Sequence, residues 1–246
     1  MNTEERRPSA GVLRAFQADS RYLFSADEFA RATGRQPGSA TLSVALTRYA
    51  AQGRIVQVSK RPSLWLVVPP EQEHYGAPPV DWWLDDYLKD DEPHYYLALL
   101  SAALHWGSSH YALQTTQVMV SRPRRVQVVG LIRLTYVAKA NIEATPVEYA
   151  SSRVARFRVS TREATLLDLV RHQHRCGGLE AIARIARDFA PAMTPGALTR
   201  ALDALGSVPT AQRLGWVLHT LRLRDLADPV RAWLAQRRFV PVLFET

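Results

Sequence analysis

The stretch SADEFARATGRQPGSATLSVALTRYAAQGRIVQVSKRPSLWLVV, residues 25–68, decides the fold of the N-terminal part. It opens with Ser25-Ala-Asp-Glu28, a Ser-x-x-Glu capping box whose two side chains satisfy free amide donors at a helix start. The helix runs through Phe29 and Ala30 and stops near Thr33-Gly34, where glycine supplies the turn. Gln36-Pro37 restarts the chain, with proline expected in the first turn of the next helix. That helix is predicted from about Gly38 to Gln52. Leu42, Leu46 and Tyr49 fall at i, i+4 and i+7, the spacing of an inward-facing stripe. After Gly53 the period changes to that of strands, over 54–58 and 64–68, joined by the basic turn Ser59-Lys-Arg-Pro-Ser63. Two helices around a tight turn, followed by a hairpin with a basic tip, describe a winged helix-turn-helix.

Helix geometry then assigns faces. At about 100° per residue, a stripe on Leu42, Leu46 and Tyr49 leaves Ala40, Val44, Thr47 and Arg48 on the opposite side. An outward valine is explained if it meets a thymine methyl in the major groove, with Arg48 reaching guanine or phosphate. The alternative is a contact between Val44 and the other domain of the chain. Gln36, Ser39 and Thr41 sit near the helix start, where short polar groups suit base edges or phosphates. Lys60 and Arg61 at the wing tip would reach the neighbouring backbone or minor groove. Arg6 and Arg7 are either a further arm or an ordinary charged terminus.

Outward from this module, charge divides the chain. Residues 1–68 carry 10 basic and 5 acidic side chains, 69–93 carry 1 and 8, and 94–246 carry 20 and 10. The expected organisation is therefore a DNA-binding domain over 1–68, an acidic linker with a short helix over 69–93, and a larger domain over 94–246. Two basic blocks could both face a polyanion. The acidic segment has Trp82, Trp83, Leu84 and Tyr87 in a helix from Val80 to Leu88. Its carboxylates are consecutive and lack a partner at useful spacing, so a solvated helix end is expected rather than a metal site.

The third block reads as α+β. A nearly all-apolar helix is expected from His94 to Gly107, then strands at 116–120, 126–129 and 131–137. Arg122, Arg124 and Arg125 are placed at a hairpin tip and could share a phosphate surface. A strand over 154–159 puts Arg156 and Arg158 opposite Phe157. It leads into Ser160-Thr-Arg-Glu163, read as a second capping box, and a helix from Ala164 to His172. Helix starts are expected at Thr194-Pro195, Val208-Pro209 and Asp228-Pro229, and a last strand over 239–244.

Composition narrows the function. The chain has 246 residues, 47% hydrophobic and 22% charged, with a net charge of +8, which fits folded protein of one or two domains. Of its basic residues only Lys60, Lys89 and Lys139 are lysines, and arginine suits bidentate phosphate and guanine contacts. No apolar run approaches the roughly 18 residues of a membrane span. The start of the chain lacks the apolar stretch of a secretory signal, and Cys176 is the single cysteine, so a reducing cytoplasm is the expected setting. His172-x-His174-x-Cys176 does not match zinc-finger spacing and is read as a helix end with a buried cysteine. No nucleotide-binding or metalloprotease motif occurs, and lysine is nearly absent from the third block, so no catalytic residue, metal or cofactor is expected.

Three strings in a shared order resemble the AbiEi family of bacterial antitoxins: Tyr95-Tyr-Leu-Ala-Leu-Leu-Ser-Ala-Ala-Leu-His-Trp-Gly107, the arginine-rich 122–125, and Val159-Ser-Thr-Arg-Glu-Ala-Thr-Leu-Leu-Asp-Leu-Val-Arg171. The resemblance implies a winged-helix domain joined to an antitoxin domain, in a type IV toxin–antitoxin system. It implies repression of the protein's own operon through inverted repeats in promoter double-stranded DNA. It further implies counteraction of a nucleotidyltransferase-like toxin, with a direct complex left open. Arg48, Lys60 and Arg61 take the DNA role by position, while Glu163 and Asp168 belong to the domain's architecture. Two alternatives stand beside it. One is a winged-helix regulator whose second domain senses a ligand or partner, and the other is a DNA-processing enzyme.

Overall fold

The computed structural model describes residues 9–108, 115–205 and 207–237. Arg6, Arg7 and the expected strand over 239–244 lie outside the described residues. The fold is α+β, with an N-terminal winged helix-turn-helix and a larger mixed region after it. The chain falls into two compact units. The first runs to Pro93 and takes in 126–134 and 151–157; the second holds 94–125, 135–150 and the chain from 158 on.

In the first unit α1 (Ser9–Ala18), α2 (Ala26–Ala32) and α3 (Ala40–Ala51) pack on a three-stranded antiparallel sheet of β1 (Leu23–Ser25), β2 (Ile55–Lys60) and β3 (Ser63–Val67), in the order β1-β3-β2. The capping box forms: Ser25 Oγ accepts from the Glu28 amide at 3.1 Å, and the Glu28 carboxylate accepts from the Ser25 amide at 2.8 Å. Gly34 closes the turn with a φ of +65°, a conformation that would strain other residues. The expected start of the next helix is corrected. Ser39 caps it, accepting from the Leu42 amide, so Pro37 lies in the turn before the helix rather than in its first turn. Phe24, Phe29, Leu42, Leu46 and Tyr49 form the core, with Val12, Leu13 and Phe16 from α1.

The acidic segment does not form one helix. A 3-10 turn over Val80–Trp82 breaks at Trp83, where φ is −140°, before the short α4 (Leu84–Leu88). Trp83 is buried and donates its indole N–H to the Pro78 carbonyl at 3.1 Å, so this aromatic fixes the break. The excursion 151–157 joins the same unit: Ser152 Oγ donates to the Asp81 carbonyl, and Arg153 lies 4.8 Å over the Trp82 ring.

The other excursion, 126–134, is a hairpin of β6 (Gln127–Val129) against the start of β7 (Ile132–Ala138), turning at Gly130-Leu131. Its tip meets the turn after Pro70–Tyr75, where the Leu131 amide donates to the Tyr75 carbonyl at 2.8 Å. A Cβ at Gly130 would collide with that same carbonyl and stand 2.6 Å from the Gly76 carbonyl carbon, and Gly130 has a φ of +58°. Both obstacles are backbone and cannot swing aside. Gly130→Ala is therefore expected to destabilise the first unit by about 2–4 kcal/mol, from steric overlap and left-handed strain together. Urea unfolding of this variant should show a lower midpoint, and a midpoint equal to the parent's would refute the close approach.

The remaining strands, β4 (Tyr96–Leu97), β5 (Thr116–Val120), β8 (Val147–Ser151) and β9 (Arg156–Ser160), complete a second sheet in the order β6-β7-β5-β4-β9-β8. This corrects two expectations. The apolar run from His94 is not one helix: it begins as β4, paired antiparallel to β5 and parallel to β9, and becomes α5 (Leu99–His105) at Leu99, whose φ is +52°. Apolar content alone does not separate a central strand from a buried helix. Arg122, Arg124 and Arg125 are not at a hairpin tip either. Because β7 lies between β5 and β6, the segment 121–126 crosses over from one to the other.

Helices make up the rest of the second unit: α6 (Arg162–Arg171), α7 (Gly178–Phe189), α8 (Pro195–Leu205), α9 (Val208–Thr220) and α10 (Arg224–Ala235). Residue 206 is outside the described set. Thr161, not Ser160, caps α6, accepting from the Ala164 amide, while Ser160 bonds Thr165 through its hydroxyl. Glu163 accepts from the Thr194 amide, so no reciprocal box forms there. Pro229 does not start a helix; it lies inside α10, which begins five residues earlier. Leu166, Leu169, Ile182, Phe189, Leu198, Leu214 and Trp233 are among the buried residues of one continuous core.

Candidate functional site

Two arrangements stand out, one in each unit. In the first, α3 buries Leu42, Ala45, Leu46 and Tyr49 and turns Ala40, Thr41, Val44, Thr47 and Arg48 to solvent. Val44 is 68% exposed, so most of its side chain faces solvent. Arg48 extends from the same face with its guanidinium 5.4 Å from the Tyr49 ring, and Arg54 lies 5.2 Å from that ring. Stacking on a buried aromatic restricts both guanidinium groups at the C-terminal end of the helix. Gln36 is exposed in the turn before α3, whereas the Ser39 hydroxyl is engaged in the cap and with Thr41 at 3.1 Å. Lys60 and Arg61 are exposed at the β2–β3 tip, where Lys60 pairs with Ser63.

Between α3 and this hairpin runs a groove of about 440 Å³. Ser39, Ser43 and Thr47 line it from the helix, Gln57, Ser63 and Trp65 from the strands, and Asp27 from α2. The Trp65 indole N–H donates to Ser63 Oγ at 3.0 Å. Sequence alone does not mark Ser43, Gln57 and Ser63, because uncharged polar residues carry neither a charge nor an apolar-period signal.

In the second unit Lys139, Asp168 and Tyr96 form a buried cluster. Lys139 Nζ donates to Asp168 Oδ1 at 2.8 Å and to the Tyr96 hydroxyl oxygen at 2.9 Å, and the Tyr96 hydroxyl donates to Asp168 Oδ2 at 2.7 Å. The Lys139 and Asp168 side chains are 4% and 1% exposed. Burial pulls the lysine ammonium below its ordinary value, only partly offset by Asp168. Burial, with the Asp168 charge second, pushes the tyrosine phenol well above its own. Both charged side chains are buried and each of the three polar groups bonds the other two, so the chemistry of the cluster is structural.

Arg122 and Arg125 are exposed and Arg124 is half-buried, 5.6 Å from the Tyr136 ring. His172 ends α6, and burial lowers its imidazole below its usual value. Cys176 is buried, which pushes its thiol up to about 12. Among the described residues no group of three His, Cys, Asp or Glu could hold a metal ion, and no helix is long and apolar enough to cross a membrane.

The comparisons bear on the second unit most directly. A family model described as the AbiEi antitoxin C-terminal domain matches residues 96–220, half of the chain, a span that contains Tyr96, Lys139 and Asp168. A solved structure, described as the crystal structure of RV2827C protein from Mycobacterium tuberculosis, superposes with a TM-score of 0.66. It covers 96% of this chain and 85% of its own at 16% identity, a likeness of fold. No curated protein matches the sequence. The antitoxin role follows from the family model, and the family is generally non-enzymatic. The chain belongs to the AbiEi antitoxin family.

Proposed function

We propose that the protein is the antitoxin of a type IV toxin–antitoxin pair in the cytoplasm, and that it represses its own operon by binding promoter double-stranded DNA. The observation that carries this reading is the outward face of α3, where an exposed Val44 lies among Ala40, Thr41, Thr47 and Arg48. On this face the valine sits beside Arg48, and a major groove offers thymine methyls beside the guanine and phosphate acceptors that suit such a pair. Lys60 and Arg61 at the wing supply phosphate contacts, and Gln36, Ser39 and Thr41 supply polar groups near the helix start. Arg122, Arg124 and Arg125 add a second phosphate surface from the other unit. Inverted repeats are the matching operator form, and the toxin is a nucleotidyltransferase-like protein counteracted in function.

The test is a gel shift on the DNA upstream of the protein's own gene, with a co-expression assay of the neighbouring gene for toxicity. Arg48→Ala is expected to weaken binding by about 1–3 kcal/mol if the guanidinium pairs bidentately with guanine. Unchanged affinity would remove α3 as the recognition helix.

A further inference from the structure

The groove between α3 and the β2–β3 hairpin has a composition unlike the rest of the DNA-facing surface. Lys60, Arg61 and Arg48 flank it, yet its lining contains no lysine or arginine. Hydroxyls at Ser39, Ser43 and Thr47 recur every four residues along one side of the helix, and the Gln57 amide and Ser63 hydroxyl face them from the strands. Trp65 donates its N–H to Ser63 Oγ, which leaves the hydroxyl proton of Ser63 to donate outward.

Geometry dictates what passes there. A major groove and the minor groove next to it are separated by one sugar–phosphate strand. If α3 enters the first and the wing tip reaches the second, that strand must run between them. We infer that this groove seats one DNA strand's backbone, held by the neutral donors Ser43, Gln57 and Ser63 rather than by cations. The inference rests on the DNA-binding reading above and adds to it a phosphate subsite of stated chemistry.

Neutral donors leave a distinct signature. Each lysine or arginine on a phosphate releases condensed counterions and steepens the salt dependence of binding, whereas a hydroxyl or amide does not. A phosphate contact also carries no sequence information, so its loss weakens all duplexes alike. Asp27 sharpens the test because its carboxylate lines the same groove. In the first turn of α2 this residue favours the helix, but it opposes a phosphate strand.

The experiment measures binding of the full chain to its upstream duplex and to a scrambled duplex across a salt series. The double variant Ser43→Ala, Gln57→Leu should bind both about 5- to 30-fold more weakly, with the slope of log affinity against log salt unchanged. Asp27→Asn should tighten both by about 2- to 5-fold near 0.1 M salt. Methylphosphonate at the crossing phosphates should weaken the parent protein and cost the double variant, which keeps only Ser63, clearly less, a coupling that a misfolded variant would not show. A loss confined to the upstream duplex would make these residues base readers and overturn the phosphate subsite. Parent-like affinity of the variants would overturn it while leaving DNA binding intact. Failure of the parent protein to bind any duplex would overturn both.

Discussion

Asp168→Ala is expected to lower the stability of the second unit by about 3–5 kcal/mol, the cost of breaking a buried ion pair from one side. The carboxylate is the shared acceptor of the cluster: Oδ1 takes the Lys139 ammonium and Oδ2 the Tyr96 hydroxyl. Removing it strands a lysine side chain that is 4% exposed, with only a phenol oxygen left to solvate it. A domain holds roughly 5–15 kcal/mol in all, so this change removes a large share. The pair itself is a different quantity from its rupture. Lys139→Met, Asp168→Leu and Tyr96→Phe together exchange the cluster for apolar volume and should recover most of the loss, because desolvation offsets much of what the charges gain from each other. Hydrogen exchange at α6 and urea unfolding check both statements. An Asp168→Ala protein within about 1 kcal/mol of the parent would show that the cluster does not hold the core.

That cluster also bears on how loss of antitoxin action should be interpreted. Tyr96, Lys139 and Asp168 all lie in the span matched to the antitoxin domain. A variant at any of them that fails to protect against a toxin has first lost part of its fold. Such a result would say nothing about a contact surface unless α6 amides remain protected.

The winged helix was legible from sequence because its signals are local. Ser25 and Glu28 cap a helix three residues apart, Leu42 to Tyr49 repeat within two turns, and the wing strands alternate within five residues. Each can be checked without knowing what lies across the core. The second unit was legible only where the same condition held, as in the strand over 116–120. Lys139 and Asp168 are 29 residues apart and Tyr96 is 72 from Asp168, so nothing near any of them marks the pairing. The one hint is Lys139, next to the apolar run ending at Val137 and the single lysine of residues 94–246. A hairpin tip at the arginines of 122–125 requires strands adjacent in sequence to be adjacent in the sheet. Insertion of β7 between β5 and β6 is a tertiary choice. Leu99 shows the same limit at the backbone: its left-handed φ turns an apolar run from strand to helix, and neither side-chain pattern nor propensity predicts it.

Val44→Asp should cost about 2–4 kcal/mol of DNA affinity and almost nothing in stability, a separation that the geometry of α3 makes possible. At 68% exposure Val44 contributes little to the core, and valine and aspartate have similar helix propensities, so the folded state should change by no more than about 0.5 kcal/mol. Against DNA the same change sets a carboxylate between two phosphate strands, where like charges cost several kcal/mol. Val44→Ala gives the complementary measurement. If the valine meets a thymine methyl, its removal should cost about 1 kcal/mol, and deoxyuridine in place of the contacted thymidine should cost the parent protein the same. Combining the protein and DNA changes should add nothing, because each deletes one side of a single contact. Additive losses would move the thymine contact elsewhere, and a Val44→Asp protein that binds like the parent would leave the outward valine of α3 without a role in DNA recognition.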